Sequence, residues 1–228
     1  MVADDLVGCA YRIGTPIGAL EACTVMTLQI TGAPATRVPP LAIGPRFYVL
    51  FSLFTLLLFP LHESAHYLTY RALGIHLRMT LNTASPVDQS QRVAIAELAG
   101  PLLNLAVASG ATLAYLRQKK NWLAAVALAA SMMRLVIYVL VIGAALVTGS
   151  ALSLGNDEPL AARLASVPAL TFVLVIAIPF MALAVGVVRT FQGSWIRQTA
   201  HVLALGLTMI CLLIFIGNIL DPWLFPTR

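Results

Sequence analysis

One stretch limits what this 228-residue chain can become. Residues 47–73, FYVLFSLFTLLLFPLHESAHYLTYRAL, are apolar enough to enter a bilayer, yet their last third carries His62, Glu63 and His66. Ionisable groups at that depth are costly and are kept where they do chemistry. On a helix, His62 and His66 lie one turn apart on the same face. Two imidazoles so placed can share a Zn2+ ion, and Glu63 beside them can take a proton from a water that the metal activates. A shuffled chain of this composition shows the His-Glu-x-x-His pattern about once in a thousand times. The plainer alternative puts the histidines among lipid headgroups where a span ends. Against it, Tyr67, Leu68 and Tyr70 continue the apolar run past the motif.

With 60% hydrophobic and only 10% charged residues, a soluble domain of this length could not hide its apolar surface. The expected fold class is therefore an all-α polytopic membrane protein of about five to six transmembrane helices. A short membrane-associated β segment is expected after the metal-binding helix. The net charge of +5 comes from basic residues scattered among short loops. Such residues set topology and contact the headgroups of the lipid bilayer, and no nucleic-acid partner is expected. The expected setting is a multi-pass position in a bacterial cell membrane. Cys9, Cys23 and Cys211 are far apart, with no Cys-x-x-Cys, so neither a disulfide framework nor a thiolate zinc site is indicated. Asp4 and Asp5 precede any apolar run, the wrong sign for a signal peptide.

Three divisions follow along the chain: an N-terminal segment 1–46, a membrane core 47–168, and two further spans within 169–228. Residues 13–30 are moderately apolar but contain Pro16 and Glu21; they either span, lie in the interface or pack on other helices. Residues 36–45, with Pro39, Pro40 and Pro45, read as an extended linker. Inside the first confident span, Pro60 frees the carbonyl of Leu56 and favours a kink. Gly74 is expected to end that helix. The alternation Ile75-His76-Leu77-Arg78-Met79-Thr80-Leu81-Asn82 predicts a strand with one buried face, and 85–91 reads as a polar turn.

A second span over 93–116 opens AIAELAGPLLNLAVASG, where Gly100-Pro101 leaves a small surface for close helix approach. Asn104, one turn on, must find partners inside the protein. It either joins helices or hydrogen-bonds a substrate carbonyl or developing oxyanion. Glu97 is either an interfacial acid or the partner of a basic group. Arg134, near the middle of a third span at 122–147, should face a carboxylate, with Glu97 or an acid of the following loop the expected partner. That loop contains Gly155-Asn156-Asp157-Glu158-Pro159 and leads to a short helix stopped by Pro168. Spans at 169–188 and 199–219 close the chain, and His201 is read as interfacial rather than as a ligand.

Together, HESAH in one span and AGPLLN in the next resemble the site-2 protease family of intramembrane zinc metalloproteases. The resemblance covers about residues 47–165. In that family a membrane-associated β segment follows the metal helix, then comes a helix with Gly-Pro-x-x-Asn, and a later helix supplies an aspartate as third zinc ligand. It implies His62 and His66 as ligands, Glu63 as general base, Asn104 as a substrate-positioning amide, and the β segment at 75–83. One piece departs: the family's Leu-Asp-Gly context for the third ligand is missing. Catalytic zinc sites normally have three protein ligands plus water. Asp157 in Gly-Asn-Asp-Glu-Pro is the nearest candidate, with Glu158, Glu97, Asp88 and His76 as competitors.

The implied activity is zinc-dependent hydrolysis of peptide bonds in a membrane protein or peptide substrate, the substrate docking along the 75–83 strand. Two rivals stand beside it: a metal-transporting membrane protein, which would usually show repeat symmetry, and a non-catalytic relative that retains the His-Glu-x-x-His helix. Basic residues near 46, 117–120 and 189–197 place that end in the cytoplasm, whereas the resemblance places the motif end there. The orientation stays open.

Overall fold

Proline and glycine set both ends of the first helix. The computed structural model describes residues 41–149 and 156–226. The expectations for 13–30 and for the linker at 36–40 lie outside these residues. Helix α1 (Pro45–Ala72) starts after an extended Gly44, with Pro45 in the first turn, where its fixed φ fits and its missing N–H costs nothing. It ends as expected at Gly74, which takes a left-handed φ of 75°.

Four longer helices follow: α2 (Ala94–Gln118), α3 (Asn121–Thr148), α5 (Ala169–Val188) and α6 (Trp195–Phe215), with the short α4 (Asp157–Leu164) between α3 and α5. Beyond α6 the chain continues through a π turn, Ile216–Leu220, into α7 (Asp221–Leu224). Among the described residues, five helical segments are long and apolar enough to cross a membrane, the last running Trp195–Leu224. The protein is a polytopic, essentially all-α membrane protein. Its final span starts earlier and ends later than the expected 199–219, and it passes Asn218 through the π turn without breaking.

The middle of the bundle is α3, which packs against α1, α2, α5 and α6. In its most apolar window 61% is buried, against 17% for the last span, so α3 is the axis and α6 the periphery. Ala124, Ala125, Ala127, Ala129 and Ala130 are all buried on α3. Without long side chains there, Phe47, Phe51, Phe59 and Tyr115 of α1 and α2 can reach the same core.

The single strand expected at 75–83 is instead half of a hairpin. Strand β1 (Leu77–Met79) pairs antiparallel with β2 (Ala84–Pro86), in the register Leu77–Pro86, Arg78–Ser85 and Met79–Ala84. The expected polar turn at 85–91 accordingly begins as strand and contains a 3-10 turn, Gln89–Gln91. Alternation does not reveal where a chain reverses. Here the reversal is made by Thr80 and Thr83, through Thr80 N–H to Thr83 O at 2.8 Å and Thr83 N–H to Thr80 Oγ1 at 3.2 Å. Val87 N–H donates to His76 O at 3.0 Å. The hydrogen-bonded pairs are therefore 76/87, 78/85 and 80/83, so the backbone groups of Ala84 and Pro86 point away from β1. The hairpin tip is tied to the last span by Leu81 N–H donating to Asp221 Oδ1 at 2.7 Å.

Candidate metal centre

The buried face of α1 runs Thr55, Leu58, Phe59, His62, Glu63, His66 and Tyr70. The spacing of three and four puts both imidazoles against α2 and α3. Gly100 is what lets them in. A Cβ on Gly100 would lie within 2.5 Å of ring atoms of both His62 and His66, too close for either ring to stay where it is. The small surface expected at Gly100-Pro101 is where α1 approaches α2, and what it accommodates is the two imidazoles of α1.

Asp157 enters from the opposite side as the first residue of α4, where a helix N-terminus favours an acid. His62 Nε2 lies 3.0 Å from Asp157 Oδ2 and 3.1 Å from His66 Nε2, and His66 Nε2 lies 3.4 Å from Asp157 Oδ2. One ligand atom from each of the three residues falls within 4.8 Å of the others.

Chemistry of the donors tests whether a metal fits. His66 Nδ1 is 2.7 Å from the Ala96 carbonyl, which can only accept, so Nδ1 carries a hydrogen and donates it. In the neutral ring that leaves Nε2 as a bare lone pair aimed at His62 and Asp157. A lone pair, a second imidazole nitrogen and a carboxylate oxygen at these separations repel one another unless a proton or a cation lies among them. Two imidazoles and one carboxylate form a donor set suited to catalytic zinc, and the residues fit such an ion.

The acids that competed with Asp157 are engaged elsewhere. Glu97 accepts from Tyr70 Oη at 2.5 Å and faces Arg92 Nη1 at 3.4 Å, so it pairs with a basic group. Asp88 caps the 3-10 turn, and bonds from the Ser90 hydroxyl and backbone hold its carboxyl below the usual value. His76 lies on the hairpin, outside the cluster. Glu158 is fully buried and takes hydrogen bonds from Arg134 Nη2 and from Tyr138 Oη, the latter at 2.6 Å. The acid partner expected for Arg134 is therefore the one following α3, not Glu97. Its Nη1 also lies 3.4 Å from Asp157 Oδ2. Burial pushes the Asp157 carboxyl up, but bonds from His62 and His66 and the Arg134 charge outweigh it and hold it well below the usual carboxylate range.

A cavity of about 480 Å3 opens onto this cluster. His62, Glu63, Asp157 and Arg134 line it, together with Asn82, Thr83, Ala84 and Ser85 of the hairpin. Glu63 is 8% exposed and faces the outward N–H of Ala84. Asn104 is not in the lining. It is fully buried, its amide donates to Met133 Sδ at 3.5 Å, and its Oδ1 has no partner among the described residues. Met133 does line the cavity, so Asn104 sits one side chain behind the wall. His201 lies apart from this cluster, its Nδ1 2.9 Å from Tyr48 Oη.

Sequence reasoning missed Tyr138 and the partnership of Tyr70 with Glu97. The signal for Tyr138 was present, four residues after Arg134 on the same helical face. No such signal joined Tyr70 to Glu97 across 27 residues. No protein-family model, no curated protein and no solved structure matches this chain.

Proposed function

We propose that this chain is an intramembrane zinc metalloprotease, similar in plan to the site-2 proteases, that hydrolyses peptide bonds of membrane-associated substrates. The observation that carries the reading is the approach of His62, His66 and Asp157 from two helices, with Glu63 facing the same cavity. Zinc, when bound by these three residues, supplies Lewis acidity: it polarises a carbonyl and brings water toward ionisation near neutral pH.

The remaining work falls to the chain. Glu63 takes a proton from the attacking water as its oxygen bonds to the carbonyl carbon. It returns that proton to the amide nitrogen as the C–N bond breaks. The outward edge of β2, rather than a strand over 75–83, holds the substrate in extended form, with the Ala84 C=O accepting from it and the Ala84 N–H reached once Glu63 releases it. A helical substrate must unwind locally to use that edge, since its own backbone groups are already paired. Asn104 serves as a positioning residue through Met133, which it contacts and which walls the cavity.

The test is Glu63→Gln, assayed on a membrane substrate in detergent. Turnover is expected to fall by at least about a hundredfold with bound zinc unchanged. Undiminished turnover removes Glu63 as the base.

One observation favours a second, non-catalytic reading. Arg134 already reaches Asp157, and protons alone can close the cluster as a buried hydrogen-bond network. Metal content separates the two: stoichiometric zinc that disappears in Asp157→Ala supports the enzyme, and purified protein without zinc supports the network.

A further inference from the structure

Resting on the zinc reading above, we infer that the buried pair of Arg134 and Glu158, with Tyr138, is the device that keeps Asp157 available as a ligand. An arginine beside a cation site is a puzzle, because its positive charge repels the ion and its fork competes for the carboxylate. Arg134 is only 2% exposed, and its Nη1 lies 3.4 Å from both His62 Nε2 and Asp157 Oδ2.

The resolution is one residue away. Glu158 is fully buried and spends both oxygens on α3, one on Arg134 Nη2 and the other on Tyr138 Oη. Arg134 Cζ also lies 5.6 Å from the centre of the Tyr138 ring, on the same helix. Glu158 therefore neutralises the guanidinium and holds it on the α3 side of the site. Asp157 Oδ2 keeps a single contact of 3.4 Å to Nη1, and the same oxygen lies 3.0 Å from His62 Nε2 and 3.4 Å from His66 Nε2. Because the two acids are adjacent on α4, docking Glu158 on α3 also fixes where Asp157 stands. Both α3 residues act as positioning residues.

Removing the charge of Glu158 while keeping its shape should free Arg134 to engage Asp157 through both nitrogens and withdraw it from the metal. The experiment compares Glu158→Gln, the double variant Arg134→Met/Glu158→Gln, and wild type in detergent. Its readouts are zinc dissociation constant by chelator competition and the visible spectrum of the Co2+-substituted protein. Glu158→Gln is expected to weaken zinc by about 10–100-fold and to alter the Co2+ spectrum. The double variant, having no competing guanidinium, should recover most of that affinity. A purely structural role would move the other way, the double variant being at least as impaired as the single.

Wild-type affinity and an unchanged spectrum in Glu158→Gln overturn the inference, as does a double variant no tighter than the single. Should Glu158→Gln not fold, Tyr138→Phe removes one bond to the same carboxylate and is expected to weaken zinc about threefold; unaltered affinity there overturns it equally. If wild type itself binds no zinc, the zinc reading fails first and this inference falls with it. Zinc binding that survives Glu158→Gln intact instead defeats the inference alone.

Discussion

The alanine-rich and the arginine-bearing parts of α3 are built on opposite principles. Its first half presents Ala124, Ala125, Ala127, Ala129 and Ala130, side chains with no polar atom and almost no rotamer entropy to lose. From its middle onward it presents Met133, Arg134 and Tyr138, and each polar group there needs a partner from another helix. The alanine part holds the bundle by close approach, which tolerates no added volume. The arginine part holds a site by charge balance and leaves Arg134 Nε and the nearby His62 Nδ1 without partners among the described residues. Stability and chemistry thus share one helix but not one mechanism.

Substitutions can break that comparison in order of size. The largest effect is expected from Gly100→Val. Its side chain would occupy the space of the His62 and His66 rings, so most bound zinc should be lost, as read by metal analysis of purified protein. Retention of full zinc would mean that the imidazoles do not need that cradle.

Next, Ala129→Leu overpacks the alanine part. A loss of about 1–3 kcal/mol is expected, seen as a lower unfolding midpoint in detergent, while zinc per folded molecule stays constant. Parallel loss of zinc would show that the two parts are one cooperative unit.

Asn104→Leu sharpens the boundary between them. The amide makes only a weak bond to sulfur, so stability should change by less than about 1 kcal/mol. Turnover is expected to fall about tenfold through misplacement of Met133. A thousandfold fall in kcat/KM would instead put the amide on the substrate. The smallest effect belongs to Gly110→Ala, one helix away from α3. Nothing lies within 4 Å of the added Cβ, so thermal stability should be unchanged or higher by about 0.5–1 kcal/mol, with zinc unaffected.

Much of this organisation was legible before any coordinates. Long apolar runs marked the spans, because in a bilayer a helix must satisfy its own backbone and cannot hide polar side chains cheaply. For the same reason Arg134 announced an acidic partner, and the two histidines one turn apart announced a shared site. What stayed hidden depended on the third dimension or on weak turn chemistry. Alternation at 75–82 gave the pleat but not the reversal, since Leu81-Asn82 carries no glycine and neither residue adopts a positive φ. Gly100 could be read as a place of close approach, though not as one reserved for imidazole rings. Asn104 shares a helical face with Gly100, but Met133 from α3 stands between it and the cavity, and no pattern within α2 reports a neighbour on another helix.

The edge of β2 has its own consequence for how firmly a guest is held. Three residues long and closed by Pro86, it turns one N–H (Ala84) and two carbonyls outward. Glu63 already faces that N–H and the Gln89 amide donates to Pro86 O at 2.7 Å, so a guest must displace existing partners to make two of its three hydrogen bonds. At about 0.5–1.5 kcal/mol each, such a grip is weak and indifferent to side chains. Cleaved fragments would leave quickly, stray chains would find little to stack upon, and discrimination among guests would have to come from how readily each one unwinds.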